Sequence, residues 1–216
     1  MPSKEILRYF DATVDRETRD DLKLAVDLVE GDKVAVDCGC GAGSDIAYLR
    51  SHGFFVHAFD VEEESITRCR KKFKDDSDVL LSRASFNTFN YPSASLIVAD
   101  ASLFFCPEVE FGEVWNKITD ALLPKGVFSG SFLGPEDTMA GPGFNKESYW
   151  PEVLVLSEED VKYLFKNYKI ESFTEHRASG KAPDGEPHQW HLFSVVAKKE
   201  SNKATQPTPK CGTAEL

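Results

Sequence analysis

Three glycines and two acids mark the part of the chain whose residue types and spacing could bind a ligand. Residues 34–45, VAVDCGCGAGSD, run from an apolar segment into Asp37 and then into Gly39, Gly41 and Gly43. Glycine permits a positive φ and lets the backbone approach a ligand without an intervening Cβ. A helix that starts behind such a turn offers free amide groups and a partial positive charge. The stretch therefore predicts a turn that binds a small ligand through its backbone.

A second acid, Asp60, ends the next apolar segment, 21 positions after Gly39. A carboxylate at the end of the second strand of an α/β fold accepts hydrogen bonds from the hydroxyls of a ribose. The dinucleotide fingerprint GxGxxG would require glycine at position 44, where this chain has Ser44, and the phosphate loop GxxxxGK[ST] does not occur. The pattern D-x-G-x-G-x-G with a distant acid indicates a nucleoside ligand that is not a dinucleotide.

Alternating strand and helix patterns place these residues in an α/β fold. Apolar runs predict strands at 33–38, 54–60, 78–84, 95–100, 126–133, 170–176 and 190–198, and amphipathic segments predict helices at 44–51, 63–73, 110–123 and 158–168. This alternation predicts a Rossmann-like, doubly wound, mostly parallel seven-stranded sheet. Residues 178–187 are rich in Gly, Pro and charge, so the last two strands form an antiparallel pair at one edge. Ser44 and Asp45 are suited to cap the first of these helices, and Ser157 the last.

The chain divides into three parts. Residues 1–30 form a helical N-terminal extension that could lie over the strand ends, and residues 31–199 form the ligand-binding domain. From Glu200 the sequence loses aromatic residues and gains Pro, Thr and Lys, so residues 200–216 are expected to be disordered.

Composition narrows the class of function. The 216 residues carry a formal net charge of −11, which disfavours binding to the phosphate backbone of nucleic acids. No apolar run reaches the ~18 residues of a membrane span, and the N-terminus lacks the pattern of a signal peptide. Five cysteines without a secretion signal indicate reduced thiols and a cytoplasmic location, and no metal site is predicted. The oligomeric state stays open.

The glycine motif resembles that of the class I S-adenosylmethionine-dependent methyltransferases, and the resemblance extends over about residues 33–199. It implies S-adenosylmethionine as cofactor. The glycine turn would lie against the methionine end, Asp60 would hold the ribose and Val61 would pack on adenine. Many relatives have an Asp after strand three, where this chain has Ser85, Phe86 and Asn87, so Asn87 or a backbone carbonyl would replace it. The implied cofactor-binding residues are Asp37, Gly39, Gly41, Gly43, Asp60, Val61, Ser85, Phe86, Asn87 and Asp100.

The acceptor side should lie at the loops that follow strands four and five. After strand four the chain lacks the [DN]PP[YF] motif of adenine N6 methyltransferases, and Cys106-Pro107 reverses the order found around the nucleophile of cytosine C5 enzymes. The loop at 133–143 is long and contains several glycines, which is typical of an active-site lid.

Three further patterns resemble a bacterial branch of small-molecule methyltransferases grouped with the tellurite-resistance methyltransferases. They are SLxFC at 102–106, FLGxxD at 132–137 and HxWH at 188–191. Those relatives carry a His-Arg pair after the sixth strand, for which His176-Arg177 is the candidate. The candidate catalytic residues are His188, His191, His176, Arg177 and Asp137.

The sequence predicts an enzyme that transfers a methyl group from S-adenosylmethionine to a small molecule or an oxyanion. A histidine would serve as base if the nucleophile is protonated, and Arg177 would suit an anionic acceptor. The alternative is a non-catalytic S-adenosylmethionine-binding protein that acts through its N-terminus and tail. An NAD-dependent oxidoreductase is disfavoured by Ser44 and by the lack of a substrate domain.

Overall fold

Helices and strands alternate along the part of the chain that the structure, a computed structural model, describes: residues 4–141, 152–182 and 185–201. The strands are β1 (Val34–Cys38), β2 (Phe55–Asp60), β3 (Val79–Arg83), β4 (Ala94–Ala99), β5 (Leu122–Leu133), β6 (Tyr168–Lys181) and β7 (Pro187–Lys199). The helices are α1 (Lys4–Thr13), α2 (Asp20–Leu28), α3 (Ser44–Ser51), α4 (Glu63–Lys72), α5 (Glu108–Ala121) and α6 (Glu158–Leu164). Most of the predicted tail, from residue 202 on, lies outside the described residues.

The strands form one sheet in the order β3-β2-β1-β4-β5-β7-β6. The first five strands are parallel, while β7 runs antiparallel to both β5 and β6. The predicted seven-stranded, doubly wound sheet with its antiparallel pair at one edge is therefore confirmed. The order reverses between β1 and β4, and in such sheets ligands bind beyond the carboxyl ends of the strands at that point.

Two apolar cores cover the two faces of the sheet. Successive side chains of a strand point to opposite faces, so Val36 of β1 joins one core and Ala35 joins the other. The first core contains residues of α5 and α6, and the second contains residues of α2, α3 and α4. Both faces of the central strands are thus buried, as their almost uninterrupted apolar sequences predict.

The N-terminal extension contributes to this packing. The second helix, α2, buries Leu22 and Ala25 completely in the core that it shares with α3 and α4. The first helix, α1, buries Phe10. The extension is helical, as predicted, and α2 covers part of one face of the sheet.

Strand limits differ from the prediction where pairing overrides local preference. β6 continues to Lys181 and β7 starts at Pro187, because residues 177–181 pair with residues 187–191 although they include Gly and Ala. The helix predicted to end at residue 123 ends at Ala121, because Leu122 already pairs with Ala94 of β4. Propensity is a weak guide at such ends.

Helix caps also differ in part. At α6 the Asp160 amide donates to the Ser157 hydroxyl in a capping box, which confirms the predicted cap. At α3 the prediction of Ser44 and Asp45 as caps is wrong. The N-cap is Gly43, which makes no side-chain cap, and the Asp45 carboxylate pairs with arginines instead. No helix among the described residues has the length and apolar character to span a bilayer.

Replacing Phe165 with alanine should reduce the free energy of unfolding by about 3–5 kcal/mol, because it leaves a cavity in the first core. Phe165 lies 5.3 Å from Trp115 and 5.3 Å from Phe128, ring centroid to centroid. Urea denaturation measures the loss. The matched control is Tyr163→Ala, at a residue of α6 that is 66% exposed and lies two positions before Phe165, the C-cap of that helix. It should change stability by under about 0.5 kcal/mol. Equal losses in the two variants would contradict the assignment of this core.

Candidate active site

Three acids meet at the carboxyl ends of the central strands. Asp37 is the penultimate residue of β1, Asp60 is the last residue of β2, and Asp100 directly follows β4. The parallel pairing of these strands brings the three residues to one edge of the sheet. Asp37 and Asp60 are buried. Several carboxylates around one turn make this edge strongly acidic.

The glycine turn between β1 and α3 depends on backbone that other residues rarely adopt. Gly39 and Gly43 have φ of 74° and 77°. A Cβ at Gly39 would lie 2.6 Å from Ser102 Cβ, and one at Gly43 would lie 2.9 Å from Cys69 Sγ. The Gly39 amide donates to the carbonyl of Phe59 at 2.9 Å. Close packing on β2 and the loop after β4 thus holds the turn against the strand ends.

Asp60 ties this turn to the start of α4. Its Oδ2 accepts from the Gly41 amide at 2.9 Å, and its Oδ1 accepts from the Glu62 amide at 2.9 Å. Burial raises the pKa of Asp60, while these two amide hydrogen bonds oppose the rise. Each carboxylate oxygen has two acceptor sites. Asp60 can therefore keep both bonds and still accept hydrogen bonds from a ribose.

Asp37 is only 3% exposed, and its buried Oδ2 has no hydrogen-bond partner among the residues that the structure describes. Burial raises its pKa well above the usual range, and the nearby carboxylate of Asp45 raises it further. A buried acceptor without a partner is costly, so it marks a place where a donor is missing. A cationic amine would supply that donor.

The N-terminal extension covers this acidic edge. Tyr9, Thr13 and Arg16 line the same small cavity as Asp37 and the glycine turn. The cavity has a volume of about 20 Å³, which is room for little more than one water molecule. The predicted position of the extension over the strand ends agrees with this arrangement.

Two arginines of the extension form a network with two of the acids. Arg19 lies 2.8 Å from Asp100 and 3.0 Å from Asp45, whereas Arg16 lies 3.5 Å from each. Burial lowers the pKa of Arg19, but the carboxylates of Asp100 and Asp45 outweigh burial and raise it. Sequence reasoning gave these arginines no role. The available signal was a pair of cations three positions apart in an acidic chain.

The turn after β3 presents the residues expected near adenine. The Ser85 amide donates to the Thr88 hydroxyl, and Phe86 packs edge-on against Phe59 at 5.4 Å between centroids. The Asn87 side-chain oxygen accepts from Lys117 Nζ at 2.6 Å, so the lysine already occupies that acceptor. Val61 is 37% exposed and offers free apolar surface beside Asp60.

A second polar group follows β5. Asp137, which is buried, lies with its Oδ1 3.1 Å from His188 Nε2, while its Oδ2 accepts from the His191 amide at 2.9 Å. The rings of His188 and Trp190 lie 4.8 Å apart. The structure thus brings Asp137, on the loop after β5, together with His188 and His191, near the start of β7.

The two histidines differ in which ring nitrogens are engaged. His191 Nδ1 accepts from the Glu136 amide at 3.0 Å, and His191 Nε2 lies 2.9 Å from Glu175. Both of its nitrogens are therefore occupied. His188 contacts Asp137 through Nε2 alone among the described residues, which leaves Nδ1 for another partner.

His176 and Arg177 are adjacent on β6 but have different surroundings. His176 is exposed and pairs with Leu192 across the strands. Arg177 contacts Glu136 and lies 2.9 Å from Glu175. The guanidinium of Arg177 lowers the pKa of both glutamates. Its charge is therefore already balanced by two acids.

Hydrogen bonds join the two polar groups along one edge. The Ser102 hydroxyl donates to the Cys38 carbonyl at 2.7 Å, and the Ala101 amide donates to the Ser131 hydroxyl at 2.8 Å. The Gly134 amide then donates to the His191 carbonyl at 2.7 Å. The loop after β4 thus stands between the glycine turn and the Asp137–His188 pair. Positions 142 and 143 of the predicted lid lie outside the described residues.

The four described cysteines are free and buried. Burial raises the pKa of Cys106 to about 11, so its thiol stays protonated near neutral pH and is a poor nucleophile. Burial raises the pKa of Cys38 well above its usual range as well. These side chains pack in the two apolar cores.

Comparison with known proteins identifies the domain. Residues 35–126 match a family described as "Methyltransferase domain". No curated protein sequence matches the chain significantly.

Solved structures share the whole fold at low identity. TehB from Haemophilus influenzae has a TM-score of 0.71 at 15% identity, over 90% of this chain and 67% of that one. The 1,6-didemethyltoxoflavin-N1-methyltransferase of Burkholderia thailandensis, solved with S-adenosylhomocysteine, has a TM-score of 0.60 at 17% identity, over 91% and 88%. The N-methyltransferase NodS of Bradyrhizobium japonicum has a TM-score of 0.63 at 12% identity, over 93% and 100%. These likenesses show that the chain shares the fold of those structures, and the domain match confirms the resemblance predicted from the glycine motif.

Replacing Gly39 with alanine should destabilise the protein by more than the ~1 kcal/mol that a positive φ costs, because the new methyl would overlap Ser102. Gly31→Ala is the control, since Gly31 has a φ of 81° but nothing lies within 4 Å of its added Cβ. Chemical denaturation of both variants isolates the overlap. Equal losses of unfolding free energy in the two variants would show that a methyl group at position 39 does not overlap Ser102.

Replacing Asp37 with asparagine should stabilise the protein at pH 8 and not at pH 4. The folded-state pKa of Asp37 is raised, so its favourable contribution is present below the unfolded pKa of about 4 and is lost as pH rises through the folded pKa. Asparagine carries no charge and removes that loss. Denaturation from pH 4 to 9 tests this, with exposed Asp75→Asn as control. A difference from wild type that does not vary with pH would refute it.

Proposed function

We propose that this protein, a class I S-adenosylmethionine-dependent methyltransferase, methylates a small organic molecule that carries an N–H or O–H group. The observation that carries the proposal is the Asp137–His188 pair. The loop after β4, which bonds to β5, stands between this pair and the cofactor turn.

The residues at the strand ends fit the cofactor. Asp37, with an unpartnered and buried Oδ2, would bind its ammonium group, and the glycine turn would lie along its methionine end. Asp60 would accept from the ribose hydroxyls, and Val61 would pack on adenine. When bound, S-adenosylmethionine supplies an electrophilic methyl group on a positively charged sulfur.

His188 is the residue best placed to accept a proton from the acceptor. Asp137 is an acceptor only, so its bond fixes the proton of His188 on Nε2 and leaves a lone pair on Nδ1. As the acceptor nitrogen or oxygen takes the methyl group from sulfur, which would keep the electron pair of the broken bond, the acceptor's proton would pass to Nδ1 and leave His188 as a cation. His191 is unsuited to this role because both of its ring nitrogens are engaged. We assign it, with Asp137, to holding the start of β7.

Two features favour an uncharged organic acceptor over an oxyanion. The cation predicted to anchor an anion, Arg177, is already paired with Glu136 and Glu175. The half-buried indole of Trp190 lies beside His188 and would add apolar surface to a site for an uncharged ring. The net charge of −11 also disfavours nucleic acid as substrate.

We further propose that residues 31–199 form the catalytic domain and that residues 1–30 cover its cofactor edge. The free thiols of the described cysteines support a cytoplasmic location.

The acceptor class can be tested with cofactor that carries a radiolabelled methyl group. The protein is incubated separately with a metabolite extract below about 1 kDa, with total protein, with RNA and with DNA. Label is expected in the low-mass extract alone, and Gly39→Ala, which distorts the cofactor turn, should abolish it. Label confined to a macromolecular fraction would disprove the proposal.

Replacing His188 with asparagine should slow methyl transfer to the labelled low-mass product by about 10²–10⁴-fold, as expected for loss of a general base. Binding of S-adenosylhomocysteine, measured by calorimetry, should not change. The control is His52→Asn, at the C-cap of α3 on the opposite edge of the sheet. Unchanged turnover in His188→Asn would exclude this residue as the base.

A further inference from the structure

The outer edge of β6 is a long run of unpaired backbone. β6 is the last strand of the sheet and spans 14 residues, whereas β3, at the other edge, spans 5. β7 occupies one side of β6, and no hydrogen bond from another described element reaches its other side over residues 169–181. Residues 174–181 are all exposed. This edge therefore presents amide and carbonyl groups that a further strand can bind.

Part of β6 lies in an arm of only two strands. β5 ends at Leu133, so residues 187–191 of β7 pair with β6 alone. A two-stranded ribbon by itself is marginally stable in water. The loop after β5 supports the β7 side of the arm, where Asp137 and Thr138 accept hydrogen bonds from amides of β7. Among the described residues, the β6 side has no corresponding support.

Residues 172–180 of this edge lack the features that usually prevent pairing with another chain. Natural edge strands are protected by proline, lysine, β-bulges or short length. The stretch SFTEHRASG contains no proline and no lysine, and it pairs with β7 without interruption. The register shift between β6 and β7 lies before it, between Ile170 and Ser172. A further antiparallel strand can therefore extend the sheet here.

The charges of this stretch are complementary to those of a second copy. In a symmetric antiparallel pair of β6 strands, a twofold axis passes through one residue, and positions equally far before and after it face each other. With the axis at His176, Glu175 of each copy lies opposite the partner's Arg177. An axis at either neighbouring position would set two glutamates or two arginines against each other. Opposite charges at facing positions stabilise a strand pair, and like charges destabilise it.

A second register also opposes unlike charges, but over a shorter ladder. An axis at Ala178 would set Glu175 against the partner's Lys181. The paired stretch would then be limited to residues 175–181, whereas an axis at His176 pairs residues 172–180. Each added residue of a ladder contributes backbone hydrogen bonds, so the axis at His176 is favoured.

Arg177 has donors left for the glutamate of a second copy. Its Nε donates to Glu175 at 3.0 Å, its Nη2 lies 2.9 Å from the same carboxylate, and its Nη1 contacts Glu136. A guanidinium carries five N–H donors, two of them on each terminal nitrogen. One N–H on Nη1 and one on Nη2 therefore stay available. The side chains of Glu175 and Arg177 are 39% and 46% exposed, so a second strand can reach them.

We infer that two copies of this chain pair through β6, about a twofold axis at His176, and form one continuous sheet. This pairing is independent of the proposed reaction. It adds a third strand to the arm, in which Ala178 lies opposite Trp190 and Gly180 lies opposite His188. The dimer would therefore brace the arm that carries the proposed base.

Sedimentation of the full chain from about 1 to 200 µM tests the pairing, because contact through one strand edge lies at the small end of specific interfaces. The wild type should approach twice the mass of one chain at the upper end of this range. Arg177→Glu and Glu175→Arg each place like charges at both facing positions. Each should therefore raise the dissociation constant by at least about 10-fold.

An equimolar mixture of these two variants decides whether the two positions face each other. In a mixed dimer the acidic variant faces the basic one, so opposite charges meet again. The mixture should form a 1:1 dimer at concentrations where each variant alone is a monomer. The double exchange, Glu175→Arg with Arg177→Glu, should restore the dimer in a single chain for the same reason.

The matched control is Lys169→Glu, which changes the net charge by the same amount as Arg177→Glu. Its side chain is 70% exposed on the same strand, and it lies outside residues 172–180. Dimerisation of this variant should equal that of the wild type. Thermal unfolding checks that each variant is folded. If one reversal fails to fold, the other reversal and the double exchange still decide.

Three outcomes would overturn the inference: a wild type that stays monomeric throughout, a dimer that persists in both reversals, or a mixture that fails to associate. None of them would affect the assignment of the chain as a methyltransferase, because methyl transfer and sedimentation are measured separately.

Discussion

The removal of carboxylates from water around one turn is the constraint on which the site depends. Asp37, Asp45, Asp60 and Asp100 lie around the glycine turn, and burial disfavours the charged forms of Asp37 and Asp60. Carboxylates this close stabilise a fold only if donors or cations compensate them. The acids differ in their partners. Asp60 accepts hydrogen bonds from backbone amides, and Asp45 and Asp100 pair with arginines. Among the described residues, the Oδ2 atom of Asp37 has no partner.

This division of partners explains why the site spans elements that are remote in sequence. The glycine turn follows β1, and Asp60 at the end of β2 accepts a hydrogen bond from its backbone. The arginines that pair with Asp45 and Asp100 come from the segment before β1. On the proposed assignment, binding of the cationic cofactor would compensate the buried carboxylate of Asp37, which has no hydrogen-bond partner for its Oδ2 among the described residues. A buried carboxylate without a partner lowers the free energy of unfolding, and such unfavourable groups are common at binding sites.

Sequence patterns predicted those parts of the site that local chemistry determines. The glycines, Asp37 and Asp60 could be proposed from the sequence because a turn of positive φ and an acid at the end of a strand each give a recognisable pattern within a few residues. Arg16 was missed because its partner Asp100 lies 84 positions away, and nothing local distinguishes it from a solvated arginine. The cap at α3 was wrong for the same reason, since Asp45 serves a tertiary contact. Likewise, the HxWH pattern pointed to His188 and His191 as candidates but could not show which of their ring nitrogens are engaged.

The hairpin of β6 and β7 extends past the end of β5, so residues 187–191 pair with β6 alone. This overhanging arm is fastened to the loop after β5 by the Asp137 carboxylate and by the Thr138 hydroxyl, which accepts from the Gln189 amide. The carboxylate that fastens the arm also orients His188. On the proposed mechanism, attachment of the arm and proton transfer would depend on the same carboxylate. Separation of the arm from the loop would then also remove the contact that orients the proposed base.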